Sequence, residues 1–178
     1  TLGPVYGKQW RDFNGVDQLN NLVYSINTNA HSRRLIVTAW APHELDDMAL
    51  PPCHYAFQVN INNGVMDLMW QQRSADVFLG LPYDITMYGL LLEMLAKGAG
   101  LKTGQLIGQL GDCHLYNNHL EQAKTFLKRP KRALPSLMLN SGIYLNEFRN
   151  CLIPNADQIR LINYNPLPAI KAELSVGK

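Results

Sequence analysis

The thiol of Cys53 follows two consecutive prolines, in the segment Leu50-Pro51-Pro52-Cys53-His54. Proline fixes φ and has no N–H to give to a strand ladder, so we predict a rigid corner at the start of a strand. A thiol held in this way can act as a nucleophile if a cationic neighbour lowers its pKa. A free cysteine is more often a small buried apolar residue, and this segment alone leaves both interpretations open.

Two groups of polar residues could bind an anion. Arg73 and Ser74 lie in the stretch Gln72-Arg73-Ser74-Ala75-Asp76-Val77-Phe78-Leu79-Gly80, which follows a predicted strand, and Arg33 and Arg34 follow Ser32. Arginine offers a planar fork of donors and serine a hydroxyl, and both suit phosphate. Either group taken alone is also typical of ordinary surface ion pairs.

A third candidate pair, His114 and Tyr116, lies in Gly111-Asp112-Cys113-His114-Leu115-Tyr116. Residues two apart on a strand face the same side, so the two rings are expected to be neighbours. Without further context, such a pair more often packs than binds a ligand.

The elements that position these residues follow from hydrophobic periodicity. Leu19, Leu22, Val23 and Ile26 recur at helical spacing after Asp17, a plausible cap, and Asn-Gly at 63–64 predicts a hairpin. We predict strands at 35–40, 54–60, 65–70, 106–115 and 158–163, and helices at 84–97 and 119–127. Strands and helices without strict alternation favour an α+β fold, in a single domain covering residues 1–178.

Bulk properties exclude several classes of protein. A net charge of +2 on 178 residues gives no argument for nucleic-acid binding. No apolar run approaches the roughly 20 residues of a membrane span. Cys53, Cys113 and Cys151 are an odd number without a CxxC pair, which argues against a disulfide framework or zinc site and favours a reducing, cytoplasmic location.

Taken together, these segments resemble the thymidylate synthase family in order and spacing. The resemblance covers essentially the whole chain and implies a mixed β-sheet with flanking helices, in a homodimer packed sheet to sheet. It also implies that the N-terminal segment of the family, with a further phosphate-binding arginine, a glutamate and a tryptophan, is missing before Thr1. The segments are Leu2–Arg11, Ser32–Arg34, Leu50–His54, Gln72–Gly80, Gly111–Tyr116 and Pro168–Ala172.

The resemblance also implies a chemistry. Cys53 matches the family's nucleophile, which attacks C6 of a pyrimidine deoxynucleotide so that C5 can accept the one-carbon unit of 5,10-methylenetetrahydrofolate. Tyr6 matches a tyrosine beside the C5 proton. Arg73 and Ser74 match phosphate-binding residues, with Arg73 close enough to favour the thiolate. No metal is implied.

Further matches concern substrate, folate and partner. Arg33 and Arg34 match a pair that reaches the phosphate site of the neighbouring subunit. His114 and Tyr116 match the residues that bind the 3′-hydroxyl of the sugar. Asp76 and Gly80 match positions that face the folate and the base.

Asp84 departs from the family pattern. Thymidylate synthases have Pro-Phe-Asn where this chain has Pro82-Tyr83-Asp84. The family's asparagine both donates to and accepts from uracil, whereas an ionised carboxylate only accepts and suits the N4 amino group of cytosine. A buried mismatch costs roughly 1–3 kcal/mol, about 5- to 200-fold in preference. From the residues alone, Asp84 is more simply an N-cap of the following helix, whereas the resemblance favours base reading, and both roles could hold at once.

The family's deoxycytidylate hydroxymethylases carry aspartate at this position, so we expect 5-hydroxymethylation of dCMP. A methylated cytosine product is a close variant of that expectation. The alternative is a thymidylate synthase that methylates dUMP and tolerates Asp84, and a second alternative is an inactive family member that only dimerises or binds nucleotide. Pro166-Leu167-Pro168 in place of Pro-His-Pro, and an extension to Lys178, are further departures that affect closure over the folate.

Overall fold

The computed structural model describes residues 1–139 and 158–175, so Cys151 lies outside the described residues. None of the helices in these ranges is long and apolar enough to cross a membrane. The helices are α1 (Gly7–Arg11), α2 (Gln18–Thr28), α3 (Leu81–Gly98) and α4 (Leu120–Leu127). The strands are β1 (Ile36–Thr38), β2 (His54–Asn62), β3 (Val65–Asp76), β4 (Lys102–His114), β5 (Ser136–Leu139) and β6 (Ile159–Ile162).

Four strands form one mixed sheet in the order β1-β2-β3-β4. The β1–β2 and β2–β3 pairs are antiparallel, whereas β4 runs parallel to β3 after the crossover through α3. Asn63 and Gly64 form the predicted hairpin turn, with φ of 50° and 76°. The strands β5 and β6 pair separately. This mixed sheet confirms the α+β prediction.

The core lies between this sheet and helices α2 and α3. Leu22, Val23 and Ile26 of α2 are buried at the spacing predicted from the sequence, and Asp17 caps the helix by accepting from the backbone N–H of Asn20. Burial of such side chains contributes roughly 1.5–3 kcal/mol each. The other buried members are Leu35, Val37, Phe57, Val59, Ile61, Met66, Leu68, Trp70, Tyr88, Leu92, Leu95 and Ala96.

A bulge interrupts β2 at its first residues. His54 pairs with Gln72, whereas Ala56 pairs with Gln71, so the strand holds one residue more than its partner at this point. Beyond the bulge the alternation is regular, and Phe57, Val59 and Ile61 are all buried. His54, three residues before Phe57, is buried as well, although two residues an odd number apart on a regular strand face opposite sides.

Two predicted boundaries were wrong in ways that affect the site. Strand β3 continues to Asp76, so Arg73 and Ser74 lie within a strand and not after it. Helix α3 begins at Leu81, with Pro82 in its first turn where no N–H is needed, so Asp84 lies inside the helix and the N-cap position belongs to Gly80. The short elements α1 and β5 were not predicted.

The fold makes a test of the α3 interface possible. The side chain of Leu92 on α3 is buried against the sheet, whereas that of Ile85 on the same helix is 45% exposed. Leu92→Ala is expected to lower the free energy of unfolding by about 2–5 kcal/mol, because it leaves a cavity. Ile85→Ala is the control and should change it by about 0.5 kcal/mol or less. Urea titration of both variants measures the difference, and equal losses would contradict the packing described here.

Candidate functional site

Arg73 holds the proline corner that presents Cys53. Its guanidinium donates from Nε to the carbonyl of Pro52 (3.0 Å) and from Nη2 to that of Pro51 (2.8 Å), while its backbone N–H donates to the carbonyl of Cys53 (2.9 Å). The guanidinium also lies 5.8 Å from the centroid of the Trp40 ring. The corner is thus fixed by three hydrogen bonds from one residue, and Cys53 is partly buried.

Tyr6 holds the same cysteine from the other side. Its phenol oxygen accepts a hydrogen bond from the backbone N–H of Cys53 at 3.0 Å, and its ring stacks on His54 with a centroid distance of 4.2 Å. Tyr6 has φ of 36°, a strained conformation for a bulky residue that costs on the order of 1–3 kcal/mol. Burial raises the pKa of Tyr6 to about 12, so the phenol keeps its proton at neutral pH.

His54 is a buried, neutral histidine beside the thiol. Burial lowers the pKa of His54 to about 4. Its Nδ1 lies 2.8 Å from the phenol oxygen of Tyr88, and its Nε2 lies 3.7 Å from Oδ1 of Asp84. Burial also raises the pKa of Tyr88 above its ordinary value, so the phenol is protonated and can donate to Nδ1. In that arrangement Nε2 carries the ring hydrogen and points it towards Asp84.

Asp84 projects from the first turn of α3 into this cluster. Its Oδ2 accepts from Nε2 of Gln72 at 2.8 Å, and its side chain is only 16% exposed. Burial raises the pKa of Asp84, while the hydrogen bond from Gln72 opposes that shift. The carboxyl group therefore faces the site and not solvent.

A second cluster forms where β3 and β4 end. Asp76 pairs with His114 across the parallel ladder, and its Oδ1 accepts from the backbone N–H groups of Phe78 (3.0 Å) and Leu79 (3.2 Å). This turn leads into α3 at Gly80, where a Cβ would lie only 3.2 Å from the carbonyl oxygen of Asp76. A larger residue at position 80 would therefore press against the turn.

His114 and Tyr116 are neighbours, as the sequence predicted, but for a different reason. Strand β4 ends at His114, so Tyr116 lies in the following turn and not on the strand. Their rings nevertheless contact edge to face, with centroids 4.9 Å apart. The prediction of adjacency is confirmed and the prediction of a shared strand face was wrong.

The remaining predicted anion-binding residues do not all meet at Cys53. Ser74 lies in β3, opposite Asp112 of β4. Arg33 and Arg34 are exposed and precede β1. The first residue of β1, Ile36, pairs with Gln58, and its last residue, Thr38, pairs with Ala56, which is nearer to Cys53. They therefore lie at the end of β1 away from the cysteine, and the chain itself does not bring them into the site.

Sequence reasoning missed Gln72 and Tyr88, and it gave His54 no role of its own. Gln72 continues the buried row Met66, Leu68, Trp70 and is almost fully buried. A polar side chain at the end of an apolar row needs hydrogen-bond partners, and this signal was available from the sequence. Tyr88 could be found only from packing, because its spacing on α3 is that of an ordinary core residue.

An open cleft of about 750 Å³ lies beside the second cluster. Leu79, Asn118, Gln122 and residues 170–173 line it. The C-terminal segment is held here because the carbonyl of Glu173 contacts Nε2 of the buried His119 at 2.7 Å. No group of three or more histidine, cysteine or acidic side chains suited to a metal ion occurs within residues 1–139 and 158–175.

Comparison with known proteins identifies the class to which this fold and site belong. The family profile described as thymidylate synthase matches residues 1–176. The thymidylate synthase of Mycoplasma pneumoniae is 46% identical over 175 residues, which are 98% of this chain and 59% of that protein. The probable thymidylate synthase of Escherichia phage T5 is 49% identical over 178 residues, covering 98% of this chain and 62% of that protein.

The solved structures agree. The crystal structure of thymidylate synthase from T4 phage is 43% identical with a TM-score of 0.88, and the match covers 98% of this chain and 64% of that one. The chain belongs to the thymidylate synthase family. It spans about three-fifths of the length of these relatives. A special relationship to the deoxycytidylate hydroxymethylases, expected from Asp84, is not shown by these comparisons.

Burial of His54 predicts a loss of stability in mild acid. The unfolded chain takes up a proton on this residue below about pH 6.5, whereas the folded protein does so only near pH 4. Stability attributable to His54 is therefore complete above pH 6.5 and is lost as the pH falls towards 4, by about 2 kcal/mol at pH 5. Denaturant titrations at pH 7.5 and pH 5 measure this loss.

Two variants separate this effect from the titration of other groups. His54→Gln should lose less stability between the two pH values than the wild type, because it has no buried imidazole to protonate. The exposed His31 provides the matched control, and His31→Gln should keep the wild-type loss. Identical pH dependence in wild type and His54→Gln would contradict the assignment.

Proposed function

We propose that this chain carries the nucleophile and the nucleotide site of an enzyme that methylates C5 of dUMP with 5,10-methylenetetrahydrofolate. The observation that carries the proposal is the placement of Cys53, whose corner is held by Arg73 and Tyr6 beside the His54–Asp84 pair. The family membership and the relatives named thymidylate synthase support the reaction class. The favoured sequence-based hypothesis, hydroxymethylation of dCMP, has no such support, and the alternative fits better.

The chemistry follows from the positions of these groups. The Cys53 sulfur adds to C6 of the pyrimidine, which gives C5 the electron density to form a carbon–carbon bond. The folate supplies a methylene group and then a hydride, and leaves as dihydrofolate. Loss of the C5 proton and departure of the sulfur from C6 restore the ring. Tyr6 takes part in this proton transfer, a role supported by its phenol, which keeps its own hydrogen and accepts from the backbone N–H of Cys53.

Asp84 is compatible with uracil in one protonation state. A neutral carboxyl group has one O–H donor and one carbonyl acceptor, the same pair that an asparagine amide presents to O4 and N3–H. Burial shifts the carboxyl group of Asp84 towards that neutral form, because its pKa is raised. The ionised form suits cytosine instead. We therefore keep dCMP as a second candidate substrate, on the specific ground of Asp84.

The other predicted contacts complete the proposal. Folate binds beside the turn of Asp76 and Gly80, next to the cleft that the C-terminal residues help to line. His114 and Tyr116 bind the sugar, and Arg73 and Ser74 bind the phosphate. Arg33 and Arg34 serve the site of a second subunit in a homodimer, which agrees with their exposed position away from Cys53. Location in the cytoplasm stays a prediction.

The role of Cys53 has a direct test. Cys53→Ala should lower the release of tritium from [5-³H]dUMP by about a thousandfold or more, because no covalent adduct can form at C6. Binding of dUMP, measured by calorimetry, should remain. Cys113→Ala is the matched control and should keep wild-type turnover. Substantial turnover by Cys53→Ala would refute the proposed mechanism, and binding without turnover in the wild type would favour a family member that only binds nucleotide.

The role of Asp84 has a separate test. Asp84→Asn should shift the ratio of kcat/KM for dUMP over dCMP towards dUMP by about 5- to 200-fold, because the amide oxygen would accept from Gln72 and the amide NH₂ would then donate to O4 of uracil but oppose the N4 amino group of cytosine. Competition between the two nucleotides measures the ratio, and dihydrofolate absorbance shows whether the product is methylated. Product formed without dihydrofolate would restore hydroxymethylation, and an unchanged ratio would leave Asp84 without a role in base choice.

A further inference from the structure

The segments that carry Tyr6 and Cys53 are joined at two points. The first is the hydrogen bond from the backbone N–H of Cys53 to the Tyr6 phenol at 3.0 Å. The second is made by Gln9, three residues after Tyr6, whose Nε2 donates to Oε2 of Glu44, nine residues before Cys53. The same Nε2 donates to the backbone carbonyl of Pro4 at 2.7 Å.

The side-chain amide of Gln9 has a single orientation here. Its Nε2 faces the carbonyl of Pro4 and the carboxylate of Glu44, and both of these groups can only accept. The hydrogen bond from Gln9, followed by the charge of Lys8, lowers the pKa of Glu44, so the carboxylate is ionised at neutral pH. The amide NH₂ therefore uses both of its hydrogens to join the two segments.

Gln9 is a poor choice of residue for a purely stabilising role. Its side chain is fully buried, and its Oε1 has no hydrogen-bond donor within residues 1–139 and 158–175. A buried acceptor without a donor costs about 1–3 kcal/mol. An apolar side chain of the same size would avoid that loss, so an amide at this position is best explained by what its NH₂ group holds in place.

The residue that the amide holds in place is strained. Tyr6 has φ of 36°, and no side chain caps the short helix α1 that begins directly after it. A strained backbone persists only where its surroundings fix it. Gln9 contacts the chain at Pro4, before Tyr6, and is itself on α1, after Tyr6, so its hydrogen bonds close the turn around the strained residue.

The segment of Glu44 leads directly to the thiol. The backbone N–H of Ala49 donates to the carbonyl of Leu2 at 3.1 Å, and a Cβ on Gly3 would clash with the carbonyl oxygen of Asp47. The chain then enters the proline corner before Cys53. Glu44 is therefore fixed relative to the same corner that presents the nucleophile.

We propose that Gln9 and Glu44 are positioning residues for the removal of the C5 proton, because they fix the Tyr6 phenol relative to Cys53. In that step the C5–H bond breaks, its electron pair forms the double bond from C5 to the new methylene carbon, and the folate nitrogen leaves with the electrons of its bond to that carbon. The Tyr6 hydroxyl accepts the proton while it passes its own to water. This inference rests on the proposed function and adds two residues that act through the backbone of the Tyr6 segment.

Gln9→Met tests the role of the amide at nearly constant volume. It removes both donors, while Gln18 Nε2 still holds the backbone carbonyl of residue 9 at 2.8 Å, so α1 should keep its place. Tritium release from [5-³H]dUMP should fall by about 10- to 100-fold, because a misplacement of about 1 Å is enough to weaken acid–base catalysis by that much. KM for dUMP should stay close to its wild-type value.

Glu44 provides a second variant in case the buried replacement does not fold. Its side chain is 24% exposed, and Glu44→Met, which removes the acceptor, should slow tritium release in the same way. Glu44→Gln keeps an oxygen that can accept from Gln9 and should restore most of the rate. Lys8→Met is the matched control, because it removes the ion pair of Lys8 with Glu44 (3.6 Å) and leaves the hydrogen bond from Gln9 in place.

Two further measurements separate positioning from a general loss of structure. The nucleotide 5-fluoro-dUMP has fluorine in place of the C5 proton, so its reaction with Cys53 and 5,10-methylenetetrahydrofolate stops at the covalent adduct, before Tyr6 acts. The methionine variants should form this adduct, detected by mass spectrometry, in the wild-type amount. Tritium release from [5-³H]dUMP should also lag further behind dihydrofolate formation than in the wild type, because loss of the C5 proton limits the rate.

Slower tritium release with a normal 5-fluoro-dUMP adduct in Gln9→Met or Glu44→Met, but not in Glu44→Gln or Lys8→Met, supports the inference. Three results overturn it and leave the proposed function intact: wild-type release in both methionine variants, a loss of adduct that matches the loss of release, or the same slow release in Lys8→Met. A wild type that forms no Cys53 adduct and releases no tritium overturns the proposed function and the inference with it.

Discussion

The pairing of His54 with Gln72 is the interaction on which the site depends. This single step of the β2–β3 ladder brings the residues after the proline corner beside the end of the buried row on β3. The next residue, Arg73, donates its backbone N–H to Cys53 and its side chain to both prolines. The same β2–β3 pairing therefore positions both the thiol and the buried polar cluster, so a change that displaces one also displaces the other.

The polar cluster is stable because its members satisfy one another. Trp70, Gln72 and Asp84 form a chain in which each donor meets an acceptor, and Tyr88 with His54 forms a second chain that approaches the same carboxyl group. Unsatisfied polar groups at this depth would cost roughly 1–3 kcal/mol each. The site therefore tolerates its several buried ionisable side chains mostly as neutral species.

Much of the fold could be predicted from the sequence, because helix α2, the β2–β3 hairpin and the apolar run of α3 have strong local periodicity. The end of β3 and the start of α3 could not, because Gln72 and Ser74 are polar residues in a strand and Pro82 lies inside a helix. Family resemblance supplied roles for Cys53, Tyr6 and Asp84. The orientation of the Gln72 side-chain amide could not be predicted, because it depends on a hydrogen bond from the indole of Trp70 that is visible only in the folded structure.

The extra residue in β2 changes which side chains of this strand face the core. Phe57, Val59 and Ile61 all point inward, and a uniform pleat would turn the residue three positions before Phe57 outward. The bulge between His54 and Ala56 shifts the inward–outward alternation of the strand by one residue, so the imidazole of His54 faces the hydrophobic core. The number of residues between the proline corner and the core-facing part of β2 is consequently as restrictive as their chemical identity. Deleting Tyr55, which lies between His54 and Ala56, would keep Cys53 and His54 in the chain but would turn their side chains to the opposite faces of the sheet.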